Sequence, residues 1–201
     1  MKKIIIISLL AGAFLASAKE KVVMEIELAK IKKFEVKAHV NEKNAPPPKG
    51  SSIVNTPRGL KFHYVFPSKK HDALMAAFPV KVPAATKVKV ELSTKIKGHR
   101  PYLILVDAGN EFHYMSIHPS DMIPAQAIKT TGKLSFTAPL PLKNRFRGER
   151  HARHWGGDDN QRIDFPLKKI YIGLNDYPDA FVGKGEILFH KIQFLAPEKR
   201  K

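Results

Sequence analysis

Apolar and polar residues alternate in segment after segment of this 201-residue chain, and this alternation constrains its fold more than any other sequence feature. In residues 87–96, Val88, Val90 and Leu92 alternate with lysine and glutamate. Successive side chains of a β-strand point to opposite faces, so this run predicts a strand with one buried and one solvated face. Similar patterns predict strands at residues 22–28, 31–36, 60–66, 101–108, 111–118, 134–136, 168–175 and 185–195.

Signals for helices are weak, whereas turn-forming residues are frequent. Only residues 71–77 could form a helical turn or two, between Pro67 and Pro79. Gly109 and Asn110 separate two predicted strands and indicate a hairpin, and the segments 22–28 and 31–36 are expected to form a first strand pair. About eight to ten short strands punctuated by 15 prolines and 12 glycines predict an all-β fold, a two-sheet antiparallel β-sandwich.

Residues 1–18 have the three parts of a cleavable signal peptide. Lys2 and Lys3 precede an apolar stretch at residues 4–15, and Ala16-Ser17-Ala18 places small residues before a cut at Lys19. The apolar stretch is shorter than the about 20 residues that a membrane span needs, so an uncleaved anchor is the less favoured alternative. We therefore expect a secreted or periplasmic protein with no transmembrane segment after signal cleavage.

The remainder of the chain is expected to divide into an N-terminal piece at 19–58, a β-sandwich core at 59–196 and a basic tail at 197–201. Pro46-Pro47-Pro48 lacks three successive N–H donors, so the segment 41–52 is predicted to be an extended connection rather than a strand. Whether residues 19–48 belong to the sandwich stays open. The sequence contains no cysteine, so stability must come from core packing, with or without a metal ion.

The formal net charge of +17 predicts attraction to polyanions. Positive charge is concentrated in eleven residues of a loop, which contain Lys143, Arg145, Arg147, Arg150 and Arg153. Guanidinium groups suit carboxylate, sulfate or phosphate because their planar forks donate two hydrogen bonds at once. Two alternatives remain: the arginines pair with Asp158, Asp159 and Asp164 further along the loop, or the surface is basic without a specific partner.

Trp155 is the single tryptophan and has two possible roles. If exposed, its ring could stack on the C–H groups of a sugar. If buried, it would close the edge of the sandwich, a role favoured by the Gly156-Gly157 turn that follows it.

Candidate metal ligands are few. His151 and His154 lie near Asp158 and Asp159, but a zinc site needs three or four convergent ligands, so we predict no metal ligand and no cofactor. The oxygen atoms of Asp158, Asp159, Asn160 and Asp164 leave a structural calcium ion open as an alternative.

Motifs for catalysis and for nucleic-acid binding are absent from the sequence. The chain contains no serine-hydrolase, zinc-hydrolase or P-loop motif, and nothing singles out a carboxylate pair, so we predict that it is not an enzyme. No nucleic-acid-binding motif accompanies the basic charge, and the signal peptide argues for export, so no nucleic-acid partner is expected.

Five segments together carry a resemblance to a known family. They are GLKFHYVF (59–66), MAAFPVKVPAATKVKVEL (75–92), YLILVDAGNEFHY (102–114), HWGGDDNQRIDFPLKKIYIGL (154–174) and GKGEILFHKIQFL (183–195). In this order they resemble a galactose-binding-like β-sandwich, the jelly-roll type found as carbohydrate-binding modules in bacterial secreted polysaccharide-degrading proteins. Within the fourth segment, the residues that match the loop of that family are Trp155, Gly156, Gly157, Asp164 and Pro166.

The resemblance implies a two-sheet antiparallel jelly roll that binds glycan without catalysis. Many relatives carry an aspartate pair for structural calcium where this chain has His190 and Lys191, which weakens the calcium alternative. We therefore predict binding of an anionic polysaccharide or cell-envelope glycan. The predicted contacts are Tyr102, Tyr114 and Tyr171 on strands, and Arg147, Arg150, Arg153, His154 and Trp155 on the loop. The alternatives are a structural or interaction protein of the envelope that uses its basic surface and, less favoured, a polysaccharide-active enzyme.

Overall fold

The computed structural model describes residues 19–40, 43–67, 72–116, 128–140, 154–160, 162–175 and 183–198. Its strands are β1 (Glu20–Glu27), β2 (Glu35–Val40), β3 (Lys43–Ala45), β4 (Ser52–Thr56), β5 (Gly59–Phe66), β6 (Ala73–Val82), β7 (Lys87–Thr94), β8 (Arg100–Val106), β9 (Phe112–Ser116), β10 (Gly132–Pro139), β11 (His154–Trp155), β12 (Leu167–Asn175) and β13 (Gly183–Pro197). A short 3-10 helix, η1 (Leu28–Lys30), follows β1. No helix in these ranges is long and apolar enough to span a membrane.

The strands form two antiparallel sheets. The first sheet has the order β10-β7-β13-β5-β4, and β1 pairs with the C-terminal half of β13. The second sheet has the order β11-β9-β8-β12-β6-β2-β3. Every strand pair in both sheets is antiparallel, which confirms the predicted all-β sandwich.

The hydrophobic core lies between the two sheets. The first sheet contributes Phe62, Phe189 and Phe194, and the rings of Phe62 and Phe189 pack edge to face with centroids 5.1 Å apart. The second sheet contributes apolar residues such as Leu103 and Ile172. These side chains alternate with outward-facing ones along each strand, as the period-two pattern of β5 and β7 predicts.

The predicted hairpin at Gly109 and Asn110 is confirmed. Strands β8 and β9 pair from Tyr102 opposite Ser116 to Val106 opposite Phe112. The turn is closed by the Asp107 amide, which donates to the Glu111 carbonyl at 3.1 Å. Asn110 adopts a φ of 65°, in the left-handed region that asparagine tolerates better than most residues.

The N-terminal strands belong to both sheets and do not pair with each other, so the predicted first strand pair is wrong. β1 pairs with β13 in the first sheet, whereas β2 pairs with β6 and β3 in the second. The segment between them crosses from one sheet to the other, a connection that the alternation pattern does not distinguish from a hairpin turn.

Two further local predictions need correction. The helical turn expected at residues 71–77 is wrong, because residues 73–78 form the start of β6 and are all buried. A strand buried on both sides lacks alternation, and pairing with two neighbours overrides the helical preference of alanine, leucine and methionine. The segment 41–52, expected to contain no strand, includes β3 and the first residue of β4. Its three prolines lie between these strands.

Candidate functional site

The outward side of the second sheet carries a cluster of aromatic side chains. Because Leu103, Leu105, Ile170 and Ile172 point into the core, the residues that alternate with them point away from it. Five aromatic residues on this side, which we call the aromatic face, are Tyr102, Phe112, Tyr114, Trp155 and Tyr171. Four of these five were predicted as ligand contacts, and strand pairing brings them together from four different strands.

Trp155 forms the most exposed part of the aromatic face. The residue is 43% exposed, and its ring stacks on Phe112, with centroids 5.4 Å apart and ring planes 10° apart. The two residues pair across β11 and β9. Gly156 and Gly157 then turn the chain with φ values of 74° and 61°, and a Cβ atom on Gly157 would lie 2.4 Å from the Glu111 nitrogen. The turn and the pairing together fix an exposed ring in one orientation.

The tyrosines continue the aromatic face toward the centre of the sheet. Tyr171 lies 6.2 Å from Phe112, and Tyr114 stacks on Tyr102 at 5.1 Å. Tyr114 and Tyr171 are half-buried and present part of their rings to solvent. Tyr102 is only 3% exposed and donates its hydroxyl proton to the Met75 sulfur at 3.6 Å, and burial raises the pKa of this hydroxyl. Its ring therefore supports Tyr114 from below.

Glycine, alanine and methionine residues on β12 and β6 lie beside the tyrosines on the same outward side. Gly173 faces Tyr102 across β12 and β8, and a Cβ atom at Gly173 would lie 2.9 Å from the Tyr102 Cζ atom. On β6, the outward residues Ala73, Met75 and Ala77 are buried although they lie outside the main core cluster. The aromatic residues on β8, β9, β11 and β12 thus lie next to a row of buried residues on β6.

A charged group spans β6 from β12 to β2, next to these buried residues. Lys169 on β12 and Glu35 on β2 form an ion pair, with Nζ and Oε1 3.1 Å apart, and Lys37 Nζ lies 3.4 Å from Glu35 Oε2. Lys169 Nζ is also 5.3 Å from the centre of the Tyr171 ring. Hydrogen bonds from Lys169 and then Lys37 lower the pKa of the Glu35 carboxyl, which is therefore ionised at neutral pH.

His154 points to the opposite side of β11 from Trp155 and supports the aromatic face from behind. Its Nδ1 atom lies 2.6 Å from Oε1 of the buried Glu111 and 3.5 Å from Oδ1 of Asp159. Next to this pair, Asp107 Oδ2 accepts hydrogen bonds from His113 Nε2 at 3.1 Å and from the Asp164 amide at 3.0 Å. These buried polar contacts hold the β8–β9 turn against β11.

Two groups of donor atoms overlap here, and each brings its ligand atoms within 4.8 Å of one another. They are Asp107–Glu111–His113 and Glu111–His154–Asp159. In both groups an imidazole nitrogen already lies within hydrogen-bonding distance of a carboxylate oxygen: His113 Nε2 is 3.1 Å from Asp107 Oδ2, and His154 Nδ1 is 2.6 Å from Glu111 Oε1.

The oxygen-rich loop left open for calcium has an amide donor between its acids. Asn160 Nδ2 donates to Asp158 Oδ2 at 2.9 Å and to Asp164 Oδ2 at 2.6 Å. Two carboxylates that share an N–H donor form a hydrogen-bonded turn, and this arrangement does not fit a cation cage.

The remaining predicted contacts, Arg147, Arg150 and Arg153, lie outside the described residues, as does His151.

Sequence reasoning also missed residues that the fold brings to this site. Phe112 alternates in phase with Tyr114, so its strand pattern could have identified it. Glu35, Lys37 and Lys169 gave no such signal, because only the pairing of β2 with β6 and of β6 with β12 makes them neighbours.

The two sheets and their inward-facing core define a β-sandwich of the jelly-roll type seen in carbohydrate-binding modules. Two solved structures illustrate the likeness. A family 11 carbohydrate-binding module from Clostridium thermocellum, in complex with a β-1,3-1,4-mixed-linked tetrasaccharide, superposes with a TM-score of 0.58 at 12% identity. The family 11 module of a cellulosomal cellulase of the same organism superposes with a TM-score of 0.55 at 11% identity.

Each alignment covers 92% of this chain and 100% of the other. At such identities the likeness establishes the fold. No family model and no curated protein matches the sequence.

Proposed function

We propose that this protein is an exported, non-catalytic carbohydrate-binding domain that binds polysaccharide, preferably anionic, on the aromatic face. The observation that carries the proposal is the exposed Trp155 ring, which is stacked on Phe112 and lies on the same outward side as Tyr114 and Tyr171. Aromatic rings bind sugars because their flat apolar surface packs on the C–H groups of a sugar ring. The similar module from Clostridium thermocellum, which carries a bound tetrasaccharide, gives independent support for this class of ligand.

Rigidity is a second argument for this face. A binding surface that is already ordered loses little conformational entropy when the ligand binds. Trp155 is held by strand pairing, by the stacked Phe112 ring and by the turn at Gly157, and the neighbouring His154 is anchored on the buried Glu111. The ring is therefore oriented before a sugar arrives.

The test is affinity electrophoresis and calorimetry on a panel of neutral and acidic polysaccharides, including mixed-linked glucan, xylan, mannan, polyuronates and sulfated galactans. We expect Trp155→Ala to weaken binding at least tenfold. Val54→Ala is the matched control, because Val54 is 41% exposed on the other sheet and should not contact the ligand. Because Trp155 is the only tryptophan, its fluorescence should also change when the ligand binds. The proposal is rejected if no polymer on the panel is bound.

A second candidate is an envelope protein that uses its basic surface without specific recognition, and the net charge of +17 favours it. Purely electrostatic attraction weakens steeply with salt, because the screening length is about 8 Å at physiological ionic strength. This candidate therefore predicts binding that disappears at high salt and does not depend on Trp155. Glycan recognition by the aromatic face predicts residual binding at high salt that Trp155→Ala removes.

Export and the absence of catalysis have separate tests. Mass spectrometry of protein secreted by a bacterial host should find a mature chain that begins at Lys19, whereas retention of residues 1–18 would contradict a cleavable signal. Prolonged incubation of the purified protein with each bound polymer should release no new reducing ends and no unsaturated products. Release of either product would favour the enzyme alternative.

A further inference from the structure

We propose that Lys37 and Lys169, held around Glu35, form an anion subsite at the edge of the aromatic face, which binds the charged group of an acidic sugar residue. This inference rests on the proposed function and assigns the preference for anionic glycan to particular residues. The shared chemistry of the ligand is a sugar carrying a carboxylate or a sulfate group. Glu35 is the internal anion that the ligand's charged group replaces.

The first argument is position. The register places Trp155, Phe112, Val106 and Lys169 side by side on β11, β9, β8 and β12. Adjacent strands are about 4.8 Å apart, so this row spans roughly 14 Å across the sheet from the tryptophan to the lysine. A glycan that stacks on Trp155 and lies across the strands therefore reaches Lys169, which contacts Glu35 and lies through it next to Lys37.

The second argument is the arrangement of charge. Glu35 Oε1 and Oε2 contact Lys169 and Lys37 at 3.1 and 3.4 Å, so one carboxylate holds two ammonium groups close together. The link from β12 to β2 passes over β6, a distance of about 10 Å between strands. The result is a pair of ammonium groups that already contact one carboxylate, on β2 and β12 on either side of Ala77 and Met75.

The third argument is that Glu35 is easily replaced. Its side chain is 57% exposed, and exposed ion pairs contribute little to stability because water and salt screen them. A carboxylate or sulfate on a sugar that is already stacked on the aromatic rings would form the same charge-assisted hydrogen bonds. Stacking of the sugar on the rings therefore helps its charged group to replace Glu35 at the two lysines. A free anion in solution lacks this additional contact.

The other sheet provides a natural comparison. On its outward side, Glu186 lies between Lys61 Nζ at 2.9 Å and His63 Nδ1 at 2.7 Å, so a similar charged group exists there. Among the outward residues of β5, β7 and β13, however, there is no phenylalanine, tyrosine or tryptophan. Of these two charged groups, therefore, the one around Glu35 has aromatic side chains beside its cations and the one around Glu186 does not.

The experiment measures affinity for a polyuronate, a sulfated galactan and a neutral glucan with the full chain. We expect Glu35→Gln to raise affinity for an acidic polymer at least threefold more than it changes affinity for a neutral one, because it removes the competing charge. Lys169→Gln and Lys37→Gln should each lower acidic binding about fivefold. Glu186→Gln and Lys61→Gln are the matched controls, since they make the same changes in net charge on the other sheet.

The outcomes separate this inference from the proposed function. If Glu186→Gln raises affinity as much as Glu35→Gln, the effect comes from net charge and the subsite is refuted. The subsite is also refuted if neutral glycans bind through Trp155 and acidic ones bind no more tightly, although the proposed function then stands. If no glycan binds, both proposals fall. The relative affinity for polyuronate and sulfated galactan identifies which anionic group the lysines prefer.

Discussion

His99 is a buried imidazole whose surroundings lead to a quantitative prediction about stability. Its Nδ1 atom lies 2.9 Å from the Ile96 carbonyl oxygen, and its Nε2 atom lies 2.6 Å from the Tyr64 hydroxyl. A carbonyl oxygen can only accept, so the proton is on Nδ1 and the Tyr64 hydroxyl donates to Nε2. Burial lowers the pKa of His99 from 6.5 to about 4, so the folded protein holds it in the neutral form.

The sign and size of the effect follow from the two pKa values. Above pH 6.5, His99 is neutral in the folded and the unfolded chain, so its contribution to stability is fully present. As the pH falls below 6.5, the unfolded chain binds a proton that the folded chain cannot accept until about pH 4, and stability is lost across that window. Between pH 7.5 and 4.5, this loss amounts to about 2–3 kcal/mol of unfolding free energy.

The measurement is urea unfolding followed by circular dichroism at pH 7.5 and 4.5. Other histidines and carboxylates titrate in both proteins, so the comparison with His99→Gln isolates this group. We expect the wild-type protein to lose about 2–3 kcal/mol more than the variant, a difference of roughly 1 M in the urea midpoint. Tyr64→Phe removes the donor to Nε2 but leaves His99 buried, so it should keep the pH dependence. Equal losses in wild-type protein and His99→Gln would refute the reasoning.

Two further substitutions test the packing behind the aromatic face. Gly173→Ala should destabilise the fold by about 2 kcal/mol because the new Cβ would lie 2.8 Å from the Leu74 carbonyl oxygen and 2.9 Å from the Tyr102 ring. It should also alter the near-ultraviolet circular dichroism of the tyrosines, and an unchanged melting temperature would contradict the close contact. Asp107→Asn should also cost about 2 kcal/mol, or roughly 4–8 °C in melting temperature, because an amide replaces a buried carboxylate that accepts hydrogen bonds from two backbone amides. Calorimetric melting checks this value, and a loss below 1 °C would mean that the carboxylate is not required.

The strands that sequence reasoning predicted best are those with one buried and one exposed face. β7 shows this pattern in full, with Val88, Val90 and Leu92 inside and lysine or glutamate outside. β6 does not, because its first six residues are all buried in the middle of the second sheet. Alternation reports a difference in solvation between two faces, so a strand without such a difference leaves no periodic signal.

Some features of the candidate site could likewise be predicted from the sequence, whereas others depend on contacts between distant strands. Trp155 and the tyrosines at 102, 114 and 171 stood out by residue type, and strand parity limits which of them can share a face. The exposure of Trp155 depends on its pairing with Phe112 across β11 and β9, which are about forty residues apart along the chain. Tyr102 could not be assigned to a supporting role from the sequence, because its burial depends on Met75 and Gly173 from other strands.

The sequence by itself determined the all-β class, the β8–β9 hairpin and the basic character, because each depends on neighbouring residues or on composition alone. Tertiary structure decided which strands are adjacent. It placed β2 next to β6 and β6 next to β12, so that Glu35 meets Lys169 across 134 positions of the chain. It also placed Trp155 on Phe112. Contacts between distant segments depend on the order and register of the strands in the sheet. Order and register depend in turn on which faces of the sheets are buried together, and the local alternation of apolar and polar residues does not encode this.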